Sequence, residues 1–458
     1  MQFAQIAVLA RILTPEDFGL IAVVAVVTGL AQVCADVGIS NAIIVRKDPS
    51  HEELSTLYWL NFLMGGVLFL ILLAIAPLIQ SVYQHEVLGS LVVWSALSFL
   101  IAPVGQQFQI LLQKNLRFDT LARVELAGAV TGLLVSIWTA LLGAGVFAFV
   151  WGQLTNVTVK SFGFGSLGMR SWRPAVRFKY VDLQRYSVFG LFQMAERIVN
   201  YVSWNADKLI IGRLLGAGPL GFYNVAYQLM IRPRSLFAPV VSRVALPVLS
   251  SLQDDEHRLR SGYLQITEAI AFAGVPVFVF MFFVADPLFE VIMGPGWELS
   301  TQVFKILVWL GIFYSLGNPM GTLLLSKGRA DLGFWFNLVA LLAYLGSILV
   351  GSRWGTTGVA WGLVTATALV LVPLEFYMRW ALVRLRPKEY LEKVLPFLFL
   401  SLAVGSVMTG LEWILGIRGA ILRICFFGIP YMVFYLGSVF LVGRSFVREL
   451  MIALRAST

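Results

Sequence analysis

The chain has 458 residues, of which 59% are hydrophobic and only 13% are charged, and its mean hydropathy is +0.82. A soluble globule of this length needs more polar surface than this composition supplies, so a large soluble protein is excluded. The net charge of +9 does not indicate nucleic-acid binding, because the basic residues lie in short loops beside apolar segments. We therefore expect membrane lipids to surround this protein.

Apolar runs long enough to cross about 30 Å of hydrocarbon recur along the chain. A first group of runs covers residues 1–13, 18–44, 54–82, 89–112, 120–142 and 145–162. A second group covers residues 186–215, 220–249, 262–284, 302–325, 332–350, 358–382, 394–415 and 421–442. Their lengths and spacing predict an all-α, polytopic membrane protein of about 14 transmembrane helices.

The first run ends at Thr14-Pro15 and is too short to span a membrane. It lacks a basic flank and a small-residue cleavage site, so we do not interpret it as a signal peptide. We interpret it as the end of a first helix whose start has been lost, through truncation or a misassigned start codon.

Lysine and arginine are concentrated in every second connection between the apolar runs. These connections are residues 46–47, 114–117, 160–185, 258–260, 327–329 and 384–393, and the tail beyond residue 443 is also basic. The connections between them carry few cations. By the positive-inside rule, this alternation places both termini in the cytoplasm.

Residues 10–20 resemble residues 212–222 at a constant shift, because Arg213 minus Arg11 and Gly221 minus Gly19 are both 202. The shift moves the first helix onto the seventh, an even displacement that preserves orientation. The sequence therefore predicts two parallel six-helix repeats with a substrate site between them, followed by two extra C-terminal helices. The expected domains are an N-terminal lobe at 1–162, a cytoplasmic inter-lobe linker at 163–185, a C-terminal lobe at 186–382, and the appended helices and tail at 383–458.

Three segments, ARILTPEDFG at 10–19, ADVG at 35–38 and DKLIIGRLLG at 207–216, resemble polysaccharide-export flippases of the Wzx type, most closely the colanic-acid-like branch. That family belongs to a superfamily that also holds multidrug extruders and lipid II flippases. The resemblance covers essentially the whole chain. The sequence departs from the family pattern at the short first helix and at Arg232-Pro233-Arg234.

The resemblance implies a transporter of the bacterial inner membrane. Such a protein flips undecaprenyl-pyrophosphate-linked oligosaccharide repeat units from the cytoplasmic to the periplasmic leaflet by alternating access, for exopolysaccharide or lipopolysaccharide biosynthesis. A polysaccharide polymerase and assembly proteins are the expected protein partners.

The seventh predicted helix holds the richest set of intramembrane polar residues. Arg197, Asn200, Trp204 and Asp207 share one helical stripe, with Lys208 at its edge. Arginine can hold phosphate oxygens bidentately, and an indole offers a flat surface to a sugar ring. We predict a substrate site here; the alternative is that the charged residues, with Glu196, form structural ion pairs.

The eighth predicted helix carries Arg232 and Arg234 on either side of a proline. Residues two apart point about 200° from each other, so only one of the two can face a central cavity. The alternative is that both lie near the cytoplasmic surface.

In the first half, Gln32 and Arg123 complete the predicted substrate-binding set, and Asp36 is a further candidate. The remaining polar residues within spans are Gln2, Gln5, Gln106, Gln107, Gln109, Glu125, Glu268, Lys305 and Glu375; the amides among them are also typical helix-to-helix contacts.

No phosphate-binding loop, nucleophile elbow or metal-ligand cluster is present in the sequence, so we expect no catalytic activity, metal or cofactor. The linker at 163–185 is either an interfacial stretch on anionic lipid or an ordinary basic loop.

Three rival functions are a multidrug antiporter, which needs carboxylates in its cavity, a lipid II flippase, and a membrane glycosyltransferase or polymerase. The last should carry a large periplasmic loop or a catalytic carboxylate pair, and all the outward connections are short.

Overall fold

The computed structural model describes residues 2–35, 50–170, 172–178 and 180–442, and these residues form helices and connections without any strand. The first nine helices are α1 Gln2–Leu9, α2 Pro15–Ala35, α3 His51–Tyr83, α4 Glu86–Ile101, α5 Pro103–Lys114, α6 Phe118–Leu141, α7 Phe147–Gly168, α8 Tyr180–Leu214 and α9 Ala217–Ser251. The remaining helices are α10 Glu256–Phe283, α11 Ala285–Ile292, α12 Glu298–Ser326, α13 Ala330–Gly351, α14 Gly355–Ala366, α15 Val372–Val383, α16 Pro387–Leu415 and α17 Ala420–Val442.

The all-helical membrane fold predicted from the sequence is confirmed. Each of the fourteen predicted apolar runs overlaps at least one helix of the described residues. Among the described residues, eight helices are long and apolar enough to cross a membrane, or nine if a bent pair counts as one span. Their outward side chains include large apolar residues such as Leu70 and Leu78, each 61% exposed, which lipid can cover.

Two of the predicted spans are less regular than the sequence indicated. The run at 89–112 is divided into α4 and α5, which meet at Pro103 with a bend of 51°. Proline lacks the backbone N–H that would continue the helical hydrogen bonds, so the helix breaks there. The run at 358–382 consists of α14 and α15 joined by a π-helical turn, Thr367–Leu371. Such turns are often found at functional positions in helices.

The chain divides into two compact units, Met1–Gly221 and Phe222–Thr458. We call them unit 1 and unit 2. Unit 1 therefore contains α1 to α8 and the first residues of α9, while unit 2 contains the rest of α9 and α10 to α17. The lobe and linker boundaries given above stay a prediction.

Within unit 1, the two copies of the repeated motif are in direct contact. A Cβ atom placed on Gly19 would lie 1.8 Å from the carbonyl oxygen of Ala217, and one on Gly221 would lie 1.7 Å from that of Pro15. Ala217 minus Pro15 and Gly221 minus Gly19 are both 202, so each contact is the repeat image of the other. Only glycine permits this approach of two backbones.

Within unit 2, the appended helix α17 is bound to α10 at a proline. Pro276 in α10 has no N–H to donate, which leaves the carbonyl of Phe272 without its helical partner. The Tyr435 hydroxyl donates to that carbonyl over 2.9 Å, and Tyr431 donates to the Pro276 carbonyl over 3.2 Å. An unsatisfied carbonyl is costly in a bilayer, so these tyrosines stabilise both helices.

Candidate functional site

The predicted stripe on the seventh span lies on α8 and passes from an open surface into the core of unit 1. Arg197 is half-buried, Asn200 and Trp204 are exposed, and Asp207 is only 8% exposed. The helix is fixed against α2, where the Tyr201 hydroxyl donates to the Ala25 carbonyl over 3.2 Å. The half of the stripe that contains Arg197, Asn200 and Trp204 is thus the part that a substrate can reach.

Lys208, at the far end of this stripe, has a local partner. The Lys208 ammonium donates to the side-chain oxygen of Asn205, one turn earlier on α8, over 2.9 Å. This contact favours a structural role for Lys208. The side chain of Glu196 and the whole of Asp36 lie outside the described residues, so their predicted roles stay predictions.

The first-half candidates fall into two groups. Gln32 and Arg123 are exposed, and Arg123 forms an ion pair with Asp119 over 2.9 Å. Three glutamine amides instead join one helix to another: Gln5 bonds to Ser136, Gln107 to the Leu54 carbonyl, and Gln109 to Glu125. These three amides thus behave as helix-to-helix contacts.

The connection between α7 and α8 packs against the protein. The Trp172 ring lies 6.1 Å from that of Tyr58, measured between centroids, and also contacts Phe108. The Ala175 carbonyl accepts a hydrogen bond from the Trp59 indole over 2.8 Å, and Arg177 forms an ion pair with Glu52. Trp172 of the predicted linker is therefore engaged with α3 and α5.

In unit 2, Arg232 and Arg234 are both half-buried on α9. The guanidinium carbon of Arg234 lies 5.2 Å from the centre of the Tyr314 ring on α12. A guanidinium over an aromatic face at this distance is a cation–π contact, and it fixes the position of the charge. The structure therefore places Arg234 beside an aromatic side chain.

Tyr314 in turn lies close to the Tyr344 hydroxyl on α13, and the sequence analysis did not select Tyr344. That hydroxyl lies 3.1 Å from the Thr367 hydroxyl, at the start of the π-helical turn. Nothing in the spacing of these residues along the chain indicates the contact, because it joins three separate helices.

A second polar cluster in unit 2 surrounds Arg379, which is 1% exposed. Its guanidinium donates to Glu375 over 2.5 Å and to the Tyr263 hydroxyl over 2.8 Å. It also lies 4.4 Å from the centre of the Tyr390 ring. The sequence analysis missed Arg379, although a glutamate and an arginine four residues apart in an apolar run would have indicated a helical ion pair.

The other two charged candidates of unit 2 are also paired. Glu268 is 6% exposed and accepts from Lys393 over 2.7 Å, and Lys305 is paired with Asp286 over 2.7 Å. Buried charges remain stable in a membrane when they are paired in this way. The carboxylates of Glu268 and Glu375 are therefore occupied by cations of the same unit.

A family model described as "Polysaccharide biosynthesis protein" matches residues 8–302. The chain belongs to this family. It is 31% identical to the lipopolysaccharide biosynthesis protein WzxC of Escherichia coli K12, over 89% of this chain and 84% of that protein. It is 33% identical to the teichuronic acid biosynthesis protein TuaB of Bacillus subtilis 168, over 90% and 85% of the two chains. The family predicted from the sequence motifs is confirmed, and with it a role in polysaccharide biosynthesis.

Two solved structures share the fold of this family member. One is lipid II flippase MurJ in an inward closed conformation, with a TM-score of 0.74, 15% identity, and 98% and 96% of the two chains covered. The other is a multidrug resistance MATE family transporter in an inward-facing conformation, with a TM-score of 0.62, 14% identity, and 83% and 93% covered. At these identities the likeness establishes the fold, which is that of a multi-pass membrane transporter.

Proposed function

We propose that this protein flips an undecaprenyl-pyrophosphate-linked oligosaccharide repeat unit from the cytoplasmic to the periplasmic leaflet by alternating access, for exopolysaccharide or lipopolysaccharide biosynthesis. The observation that carries the proposal is the presence of half-buried arginines, Arg197 in α8 and Arg232 and Arg234 in α9, on two helices that the sequence predicts to span the membrane in a polysaccharide biosynthesis protein. Cations at membrane depth are costly, and an anionic lipid headgroup is the ligand that would justify them.

The proposed substrate contacts divide by chemistry. Arginine side chains would bind the pyrophosphate, the Trp204 indole would contact a sugar ring, and amide or carboxylate groups would bind sugar hydroxyls. The full proposed set consists of Arg197, Asn200, Trp204, Asp207, Lys208, Arg232, Arg234, Gln32 and Arg123. Within it, Arg234 is supported by its contact with Tyr314, whereas Lys208 has the weakest support because its ammonium already donates a hydrogen bond to Asn205.

The proposal includes a location and a membrane orientation. The chain would lie in a bacterial inner membrane with both termini in the cytoplasm, as the alternation of basic connections favours. It would act as a transporter without catalytic chemistry or a cofactor, and a polysaccharide polymerase and assembly proteins would receive its product.

The main rival, a multidrug antiporter, would need carboxylates that can bind an organic cation. Glu268 and Glu375, two carboxylates within spans of unit 2, are bound by Lys393 and Arg379. This pairing disfavours the antiporter. A lipid II flippase is the second candidate, and the fold shared with MurJ favours it.

The test is the lipid-linked sugar content of cells with the gene deleted, compared with cells that express it. We expect undecaprenyl-pyrophosphate-linked sugar to accumulate on the cytoplasmic face and surface polysaccharide to disappear. Normal polysaccharide with altered sensitivity to cationic drugs would support the antiporter instead. Accumulation of lipid II with arrested cell-wall synthesis would support the lipid II flippase.

Replacement of Arg197 tests the proposed site itself. Arg197→Ala should abolish export while the protein remains inserted, as measured by surface polysaccharide and by membrane-fraction immunoblotting. Arg197→Lys keeps the charge but loses the bidentate fork, so we expect only partial export. Unchanged surface polysaccharide in Arg197→Ala would remove this residue from the site.

A further inference from the structure

One face of α12 combines polar side chains with open space. Tyr314, Asn318 and Gly321 are separated by four and three residues, so they lie along one helical stripe. Tyr314 and Asn318 are half-buried, whereas Gly321 is exposed, and a Cβ placed on Gly321 would meet no atom within 4 Å. The stripe therefore has room beside it for another group.

The hydroxyl groups next to this stripe have a defined donor direction. The Thr367 hydroxyl donates its single proton to the Leu363 carbonyl over 2.8 Å. In its contact with Tyr344, at 3.1 Å, the Thr367 oxygen must therefore accept. Tyr344 has then used its own proton, so its oxygen can only accept from the neighbouring Tyr314. The Tyr314 oxygen keeps its lone pairs available for a hydrogen bond from another donor.

Asn318, one turn further along α12, supplies a hydrogen-bond donor. Its side-chain nitrogen is buried and has no hydrogen-bond acceptor among the described residues. A buried amide donor without an acceptor is costly, and such groups are rare in folded proteins. An acceptor and a donor one helical turn apart match a hydroxyl group, which can donate to one and accept from the other.

The charges around the stripe favour an anionic neighbour. The Arg234 guanidinium lies over the Tyr314 ring, 5.2 Å from its centre. The carboxylate of Glu375 on α15 lies against Gly317 of α12, and Arg379 holds it in an ion pair. Together these three charged groups sum to a single positive charge, so an anion is attracted and a cation is not.

We propose that Tyr314 and Asn318 bind a hydroxyl of the first sugar of a lipid-linked saccharide, with Arg234 beside them binding the adjoining diphosphate. Tyr344 and Thr367 are positioning residues, since the Tyr344 hydroxyl, held by Thr367, leaves only its oxygen as an acceptor beside Tyr314. This inference rests on the proposed function and deepens it. It makes unit 2 the place where the sugar, and not only the lipid diphosphate, is recognised.

The test compares two probes that bind to the full-length protein in lipid nanodiscs. One is a polyprenyl diphosphate that carries a single hexose, and the other is the same polyprenyl diphosphate without sugar. The wild type should bind the sugar-bearing lipid more tightly. Tyr314→Phe and Asn318→Leu should each reduce this preference about three- to tenfold, the effect of one neutral hydrogen bond, with the affinity for the sugar-free lipid unchanged.

A filling substitution provides a matched pair of variants. Gly321→Leu places a side chain in the open space and should remove the preference for the sugar-bearing lipid. Gly410→Leu on α16 is the control, because this helical glycine is also exposed with open space beside it. The new side chain there should not change the preference for the sugar-bearing lipid. Arg234→Gln should weaken the binding of both probes equally, since it removes the contact to the diphosphate.

The outcomes separate this inference from the proposed function. Equal binding of the two probes by the wild type, or an unaltered preference in both Tyr314→Phe and Asn318→Leu, would overturn the sugar site. The proposed function would stand in that case. Failure of the wild type to bind either lipid diphosphate would overturn the proposed function itself.

Discussion

At the scale of single residues, Arg379 shows how a charge is kept inside an apolar span. Its guanidinium is bound by Glu375 and Tyr263 and lies 5.3 Å from the centre of the Phe376 ring and 4.4 Å from that of Tyr390. The side chain is 1% exposed, so water contributes almost nothing to its solvation. Its stability therefore depends on these partners and above all on the carboxylate.

We expect Glu375→Gln to destabilise the protein by about 3–5 kcal/mol, because it leaves a buried guanidinium without its counter-charge. The measurement is the free energy of unfolding in detergent. The double variant Glu375→Gln, Arg379→Met should recover most of the loss, since both charges are then absent. Asp119→Asn is the control, because it removes the partner of the exposed Arg123 and should leave stability unchanged. Equal effects of Glu375→Gln and Asp119→Asn would contradict this account.

At the scale of helices, the contact between α17 and α10 depends on a hydrogen bond that a proline makes necessary. Tyr435→Phe should cost about 1–2 kcal/mol, because the Phe272 carbonyl then has no donor. Pro276→Ala restores the helical N–H, so in that background Tyr435→Phe should cost much less. A double-mutant cycle of unfolding free energies measures the difference. If the two substitutions change the free energy of unfolding additively, Tyr435 stabilises the protein by another route. Tyr377→Phe, at an exposed tyrosine, is the control for the loss of a hydroxyl group.

The contact between the repeated motifs makes a second prediction at this scale. Gly19→Ala places a methyl group where the Ala217 carbonyl oxygen lies, and we expect a loss of about 1–3 kcal/mol from overpacking. Gly221→Ala, its repeat image, should cost a similar amount. Gly218→Ala is the matched control, since a Cβ there meets open space. Thermal unfolding of the three variants checks this, and an unchanged midpoint in Gly19→Ala would show that the backbones separate at little cost.

At the scale of the whole molecule, the basic connections predict which ends of the helices face the cytoplasm. In a background without Cys34 and Cys425, we expect Glu86→Cys to react with a membrane-impermeant maleimide in intact cells. Asn115→Cys should react only after the membrane is permeabilised, because it lies in a basic connection. Both positions are exposed, so access to the reagent differs only by side. The reverse pattern would invert the predicted orientation.

The sequence alone determined the fold class, the approximate spans, the parallel repeat and the family. Spans can be recognised locally, because every segment that crosses a bilayer must be apolar over a fixed length and must satisfy its own backbone. The repeat was found in the same way, from residues 10–20 and 212–222. The bend at Pro103 could be anticipated as a proline effect, but its angle of 51° could not.

Only the tertiary structure decided which polar residues meet. Arg379 reaches Tyr263 across 116 positions of sequence, and Tyr435 reaches Phe272 across 163. Periodicity places a side chain on one face of its own helix, but it does not say which other helix lies opposite. The sequence therefore selected Arg234 from its charge at membrane depth, whereas Tyr314, Asn318 and Tyr344 became visible only once α9, α12 and α13 were packed together.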